Sequence, residues 1–181
     1  MNIVAFEEIL RTGENIHIEF KRGGAGFEDD SYETVCSFLN RFGGDLFLGV
    51  LDDGTVEGVP PKAAPDMKKN FIKRISNPNT MSPAFYLEPE IFVYDGKTVI
   101  RVHVPVSAEV HAFKGIVFDR IDDADVKVAA TGAIAQMYIR KQSIFTEKKI
   151  YPYVTIDDLR LDMLPRLRIM ASNNSGGQKH P

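Results

Sequence analysis

The chain has 181 residues, 44% hydrophobic and 26% charged, so it carries enough apolar side chain to bury one ordinary globular core. Its net charge of −3 and pI of about 5.8 exclude a generally electropositive molecule, and any grip on a polyanion must come from a local basic patch. A single cysteine excludes an intramolecular disulfide, no apolar run is long enough to cross a bilayer, and the N-terminal stretch lacks a signal-peptide pattern; the expected setting is the cytoplasm, with no membrane partner.

Apolar residues at helical spacing, Val4, Ile9 and Leu10, followed by Gly13, predict a short helix over residues 3–11. From residue 16 the period changes to two, with Ile16, Ile18 and Phe20 on one face and His17, Glu19 and Lys21 on the other, as in a half-buried strand. After the loop GGAGFEDD, Asp30 is the expected N-cap, with Glu33 three residues on. Tyr32, Val35, Cys36 and Leu39 supply the apolar stripe of the helix, which ends at Gly43-Gly44. DLFLGV reads as a buried strand, and Asp53-Gly54 as a hairpin turn into TVEGV. Beyond Pro60-Pro61, a helix places Met67, Phe71, Ile72 and Ile75 on an apolar face opposite a basic one. Strands over residues 85–94 and 97–104 flank Asp95-Gly96, and strands over 115–121 and 125–129 flank Asp122-Asp123. Thr131 opens a last helix to Gln142.

This order predicts an α/β (α+β) domain over residues 1–142, with a single mixed β-sheet and flanking helices. Residues 143–172 read as a linker and C-terminal helical arm interrupted by Pro165; its apolar residues must pack back on the domain or on a second copy, giving a homodimer. Residues 173–181 are expected to be a disordered tail.

Lys62, Lys69 and Lys73 recur at spacings of seven and four on one face of the third helix, with Lys68 and Arg74 beside them. Lysines opposite an apolar stripe are commonly just a solvated face, so spacing alone leaves phosphate binding and solvation as alternatives. Arg140 and Lys141 close the last helix. Other constellations fail on inspection. His17, His103, His111 and His180 lack zinc-ligand spacing, Cys36 belongs to an apolar stripe, and no G-x-S-x-G elbow is present. The loop KRGGAG lacks the G-K-[ST] ending of a nucleotide phosphate cradle.

Three segments together resemble the Schlafen AlbA domain family, a DNA-binding type found at the front of bacterial transcriptional regulators. They are Glu14-Asn15-Ile16-His17-Ile18-Glu19-Phe20-Lys21, then Glu33 through Asn40, then Gly43-Gly44-Asp45-Leu46-Phe47-Leu48-Gly49-Val50-Leu51-Asp52-Asp53-Gly54. The resemblance covers about residues 8–142 and weakens downstream, where VIRVHVPVS and VFDR are similar to later family strands. Arg120 stands at the place of the usual strand arginine, but IDDAD replaces the glycine that follows it. The resemblance implies a nucleic-acid partner, DNA first, gripped by Lys21, Arg22, Arg41, Lys62, Lys68, Lys69, Lys73, Arg74 and Arg120. Gly43, Gly44, Gly49 and Gly54 are expected to serve turns and close backbone approach, and Asn40 to cap its helix.

Glu14, Glu19 and Asp52 form the alternative site: three carboxylates from separate elements can hold Mg or Mn beside a phosphodiester. In the eukaryotic Schlafen branch matching carboxylates are implied to make a metal-dependent endoribonuclease. Were residues 14–19 fully extended, Glu14 and Glu19 would stand about 16 Å apart on opposite faces, so convergence requires Glu14 to lie in the turn after Gly13. The competing account gives Glu14 to that turn, Glu19 to an ion pair and Asp53 to turn chemistry. The leading expectation is therefore a nucleic-acid-binding domain of a regulator, without cofactor; the alternatives are the nuclease and a dimerisation module.

Overall fold

The computed structural model describes residues 2–146, so most of the expected C-terminal arm and all of the tail lie outside the described residues. Among the described residues, four helices, α1 (Ile3–Thr12), α2 (Asp29–Asn40), α3 (Ala64–Ile75) and α4 (Thr131–Thr146), accompany eight strands. The strands are β1 (Ile18–Lys21), β2 (Gly44–Leu48), β3 (Met81–Ser82), β4 (Glu90–Tyr94), β5 (Lys97–Val104), β6 (Ala112–Phe113), β7 (Ile116–Ile121) and β8 (Ala124–Val128). The α/β class is as expected, but the strands divide between two four-stranded sheets, ordered β1-β2-β5-β4 and β3-β6-β7-β8, instead of joining one. The first is mixed, with β1 and β2 parallel and the other pairs antiparallel.

Helix α2 explains the division, because it packs against strands of both sheets. One side carries the expected apolar residues: Tyr32, Val35, Cys36 and Leu39 join Phe38 in a cluster with Leu46, Val102, Phe71, Ile75, Phe113 and Phe118. A second, polar side is just as buried: Thr34, Ser37 and Asn40, three residues apart, are each 0% exposed and aim at the second sheet. Asn40 is not a cap. Its Nδ2 donates to the carbonyls of His111 and Phe118, both at 2.8 Å, and its Oδ1 accepts from His111 N at 2.7 Å, tying the end of α2 to β7 and to the residue before β6.

On the opposite face of the first sheet, Phe6 of α1 sits against the rings of Phe47, Phe92 and Tyr94, with centroids 5.0–5.3 Å apart. The expected glycines occupy tight places. A Cβ on Gly43 (φ 73°) would come within 2.7 Å of Val104 O, and on Gly49 (φ 103°) within 3.0 Å of the Gly58 backbone, so each turn admits only the residue without a side chain.

Several local expectations change. Asp53-Gly54 does turn the chain, but TVEGV forms only isolated pairings, Val50 with Val56 and Val59 with Thr98, because Thr98 of β5 captures Val59. Helix α2 begins at Asp29 with Glu28 as its N-cap, no side chain capping it, and Asp30 bonding the next amide, Ser31 N. β1 starts at Ile18, since Asn15 and Ile18 close a small turn by mutual backbone bonds.

Lys141, expected to end the last helix, is 1% exposed and donates to Leu39 O at 2.7 Å and Ser107 O at 2.9 Å, pinning α4. Burial, reinforced by the charge of Arg140, lowers its ammonium from the usual 10.5 to about 8. Between these values the unfolded chain binds the extra proton, so this group's contribution to stability rises with pH from about 8 to 10.5. Urea unfolding should therefore show the stability difference between wild type and Lys141→Met growing from pH 7.5 to 9.5; a flat difference contradicts the assignment. Asn40→Ala removes three buried hydrogen bonds and should cost about 3 kcal/mol in the same assay.

Candidate functional site

The carboxylates of the alternative site lie near enough for the charges of Glu19 and Asp52 to act on Glu14. Glu14 sits in the turn after Gly13, as convergence required, and its Oε1 accepts from Phe20 N at 2.8 Å. Burial raises the Glu14 pKa, and the charges of Glu19 and Asp52 push the same way against the Phe20 amide. Glu19, however, is 6% exposed and both its oxygens are taken: Oε1 by Lys21 at 2.6 Å, Oε2 by Arg120 at 2.6 Å. A metal drawing on Glu19 would have to displace two cations. Among the described residues no group of three or more His, Cys, Asp or Glu side chains is placed to hold a metal ion, so the donor set does not fit the implied nuclease metal.

Arg120 is the centre of this arrangement. It is 0% exposed, donates to Glu19, to Asp125 Oδ1 at 3.0 Å, to Asn15 O at 3.0 Å and to Ile18 O at 3.3 Å, and lies 4.9 Å over the Phe38 ring. Asp125 in turn accepts from Thr34 Oγ1 at 2.6 Å and from Ser37. The network links β1, α2, β7 and β8. Arg120 therefore has no surface to offer a phosphate, which corrects its expected role. Asp125, Thr34 and Ser37 were missed: Asp125 hides in the acidic run IDDAD, whereas Thr34, Ser37 and Asn40 on one stripe of α2 were a readable signal.

The other expected cations divide sharply. Burial works to lower the Lys21 ammonium, but Glu19 and Asp30 hold its pKa above the ordinary value. Arg22 pairs with Glu57 at 3.3 Å and Arg41 with Asp119 at 3.3 Å. Lys68 reaches Glu88 at 2.8 Å; Arg74 pairs with Asp29 and lies 4.4 Å over the Tyr32 ring. Lys62, Lys69 and Lys73 are exposed and have no carboxylate partner among the described residues. With Pro65, Lys68 and Ile72, the latter two border a shallow groove along α3. Ile72, expected to face the core, lies only partly buried on this outer flank, while Ala64, Phe71 and Ile75 face inward.

The matched stretch, with Glu14, Glu19, the Gly43-Gly44 turn and Arg120 all inside it, is also the stretch that the Schlafen, AlbA_2 family profile covers, residues 14–129, more than half of the chain. The chain belongs to the Schlafen AlbA_2 family. Two solved structures are similar to it in outline. The DIP2311 protein from Corynebacterium diphtheriae matches at TM-score 0.49 and 17% identity over 70% of this chain and 30% of that one. The N-terminal domain of a RecG-related protein from Nitrosomonas europaea matches at TM-score 0.46 and 24% identity over 59% of this chain and 74% of that one. This chain thus spans under a third of the Corynebacterium protein's length. Within this Schlafen AlbA_2 domain, the family's strand arginine position serves the buried network, not the surface.

Replacing Arg120 by Met leaves the buried Glu19 and the partly buried Asp125 without their shared cation, and should destabilise the domain by about 3–5 kcal/mol. Adding Glu19→Gln and Asp125→Asn should recover part of that loss; a urea midpoint unchanged in Arg120→Met would refute the role.

Proposed function

We propose that this Schlafen AlbA_2 domain binds nucleic acid, DNA in the first instance, by holding phosphates on the outer face of α3, within a protein that regulates transcription. The observation that carries this reading is the partition of cations. Every other basic residue expected at the interface is spent on a carboxylate, whereas Lys69 and Lys73 remain exposed on the outer face of α3; Lys62, expected on the same helix face, is exposed in the turn that precedes the helix. Lys69 and Lys73 stand one turn apart, about 6 Å along the axis. Asp66 shares the stripe, leaving a local excess of positive charge in an otherwise acidic molecule. Family membership and the sequence resemblance to DNA-binding regulator domains support the same assignment.

Phosphate contacts release condensed counterions, so binding should fall steeply with salt. With a fluorescein-labelled duplex, Lys69→Ala together with Lys73→Ala should reduce the slope of log K against log salt by about two. Charge reversal, Lys69→Glu with Lys73→Glu, should abolish binding at moderate salt while leaving the circular dichroism spectrum unchanged. Retention of wild-type affinity by the reversed variant would remove α3 from the interface.

A further inference from the structure

The segment between β3 and β4 carries one feature that packing does not use. Tyr86 is 79% exposed, the most exposed of the large hydrophobic side chains described. Its neighbours are tied down on both sides. Phe85 N donates to Ile75 O at 3.3 Å, its ring meets His111 edge-on at 5.5 Å, Leu87 is buried at 8% exposure, and Glu88 holds Lys68 at 2.8 Å. Ile75 and Lys68 lie on one flank of α3, seven residues apart, with Ile72 between them. Residues 85–88 therefore run beside that flank, antiparallel to the helix. Tyr86 is presented outward from a segment anchored at both ends, next to the helix that bears Lys69 and Lys73.

An exposed aromatic held on fixed backbone beside unpaired lysines is the combination that binds single strands, since every base has a face to stack and every linkage a phosphate to hold. Duplex bases are already stacked and leave such a ring without a partner. We propose that the α3 surface takes nucleic acid in single-stranded form, Tyr86 stacking on an unpaired base while Lys69 and Lys73 hold the flanking phosphates. This rests on the phosphate-binding reading of α3. Glu88 and Asp66 are the acids bordering the path, and Glu88 keeps Lys68 occupied.

The test is fluorescence anisotropy on the full chain with three labelled probes: dT12, rU12 and a self-complementary DNA hairpin of matched charge. At least one single strand should bind about tenfold or more tighter than the hairpin, and the choice between dT12 and rU12 identifies the sugar accepted. Tyr86→Ala should weaken the preferred strand about tenfold and leave the hairpin unchanged, Tyr86→Phe should retain binding, and an abasic strand of equal charge should be insensitive to Tyr86→Ala. Single-strand affinity that survives Tyr86→Ala but not the Lys69→Glu, Lys73→Glu variant overturns the stacking proposal and leaves the phosphate site standing. Affinity that survives both sets of substitutions overturns the phosphate site as well.

Discussion

The architecture depends on one buried guanidinium. A charge as fully enclosed as that of Arg120 is tolerable only when opposite charges and carbonyls surround it, and Glu19, Asp125, Asn15 O and Ile18 O do so from different elements. Because those partners come from β1, the turn before it and β8, while Phe38 of α2 lies beneath, the contact fixes how the two sheets meet across the helix. Nonpolar packing could bring the same layers together; the directional bonds select one arrangement of them.

The same demand for pairing shapes the surface. An acidic chain has few cations to spare, and the interior network and its margins consume Lys21, Arg41 and Arg120. What is left over on α3 is conspicuous for that reason. The inward residues Ala64, Phe71 and Ile75 fix the rotation of the helix, so the lysines face outward as a consequence of the core, and the interface inherits its orientation from packing.

Much of this was legible in the sequence. Period-two and helical patterns located β1, α2, β2, α3, the Asp95-Gly96 hairpin and α4; Gly43-Gly44 was correctly assigned to the sharp helix-to-strand turn, and Gly49 to close backbone approach. The two-residue strands β3 and β6 left no pattern because two residues define no period. The split into two sheets was hidden because α2 was read as one-sided: its Thr34, Ser37 and Asn40 look solvated until an acid and two carbonyls arrive from residues about 70 to 90 positions later. Site residues fared similarly. Spacing identified Lys62, Lys69 and Lys73, but no local rule distinguishes a lysine that faces water from an arginine, such as Arg120, whose partner Glu19 lies a hundred residues away.

The outer rim of β1 has a further consequence. Its outward amide groups do not wait for a neighbour: Ile18 exchanges bonds with Asn15, Ile18 O also accepts from Arg120, and Phe20 N is taken by Glu14. A strand whose outer groups are largely taken in this way is a poor template for another, which guards this short segment against domain swapping and fibrillar stacking. Growth of that sheet by a strand from another molecule is favoured instead at the opposite rim, at β4.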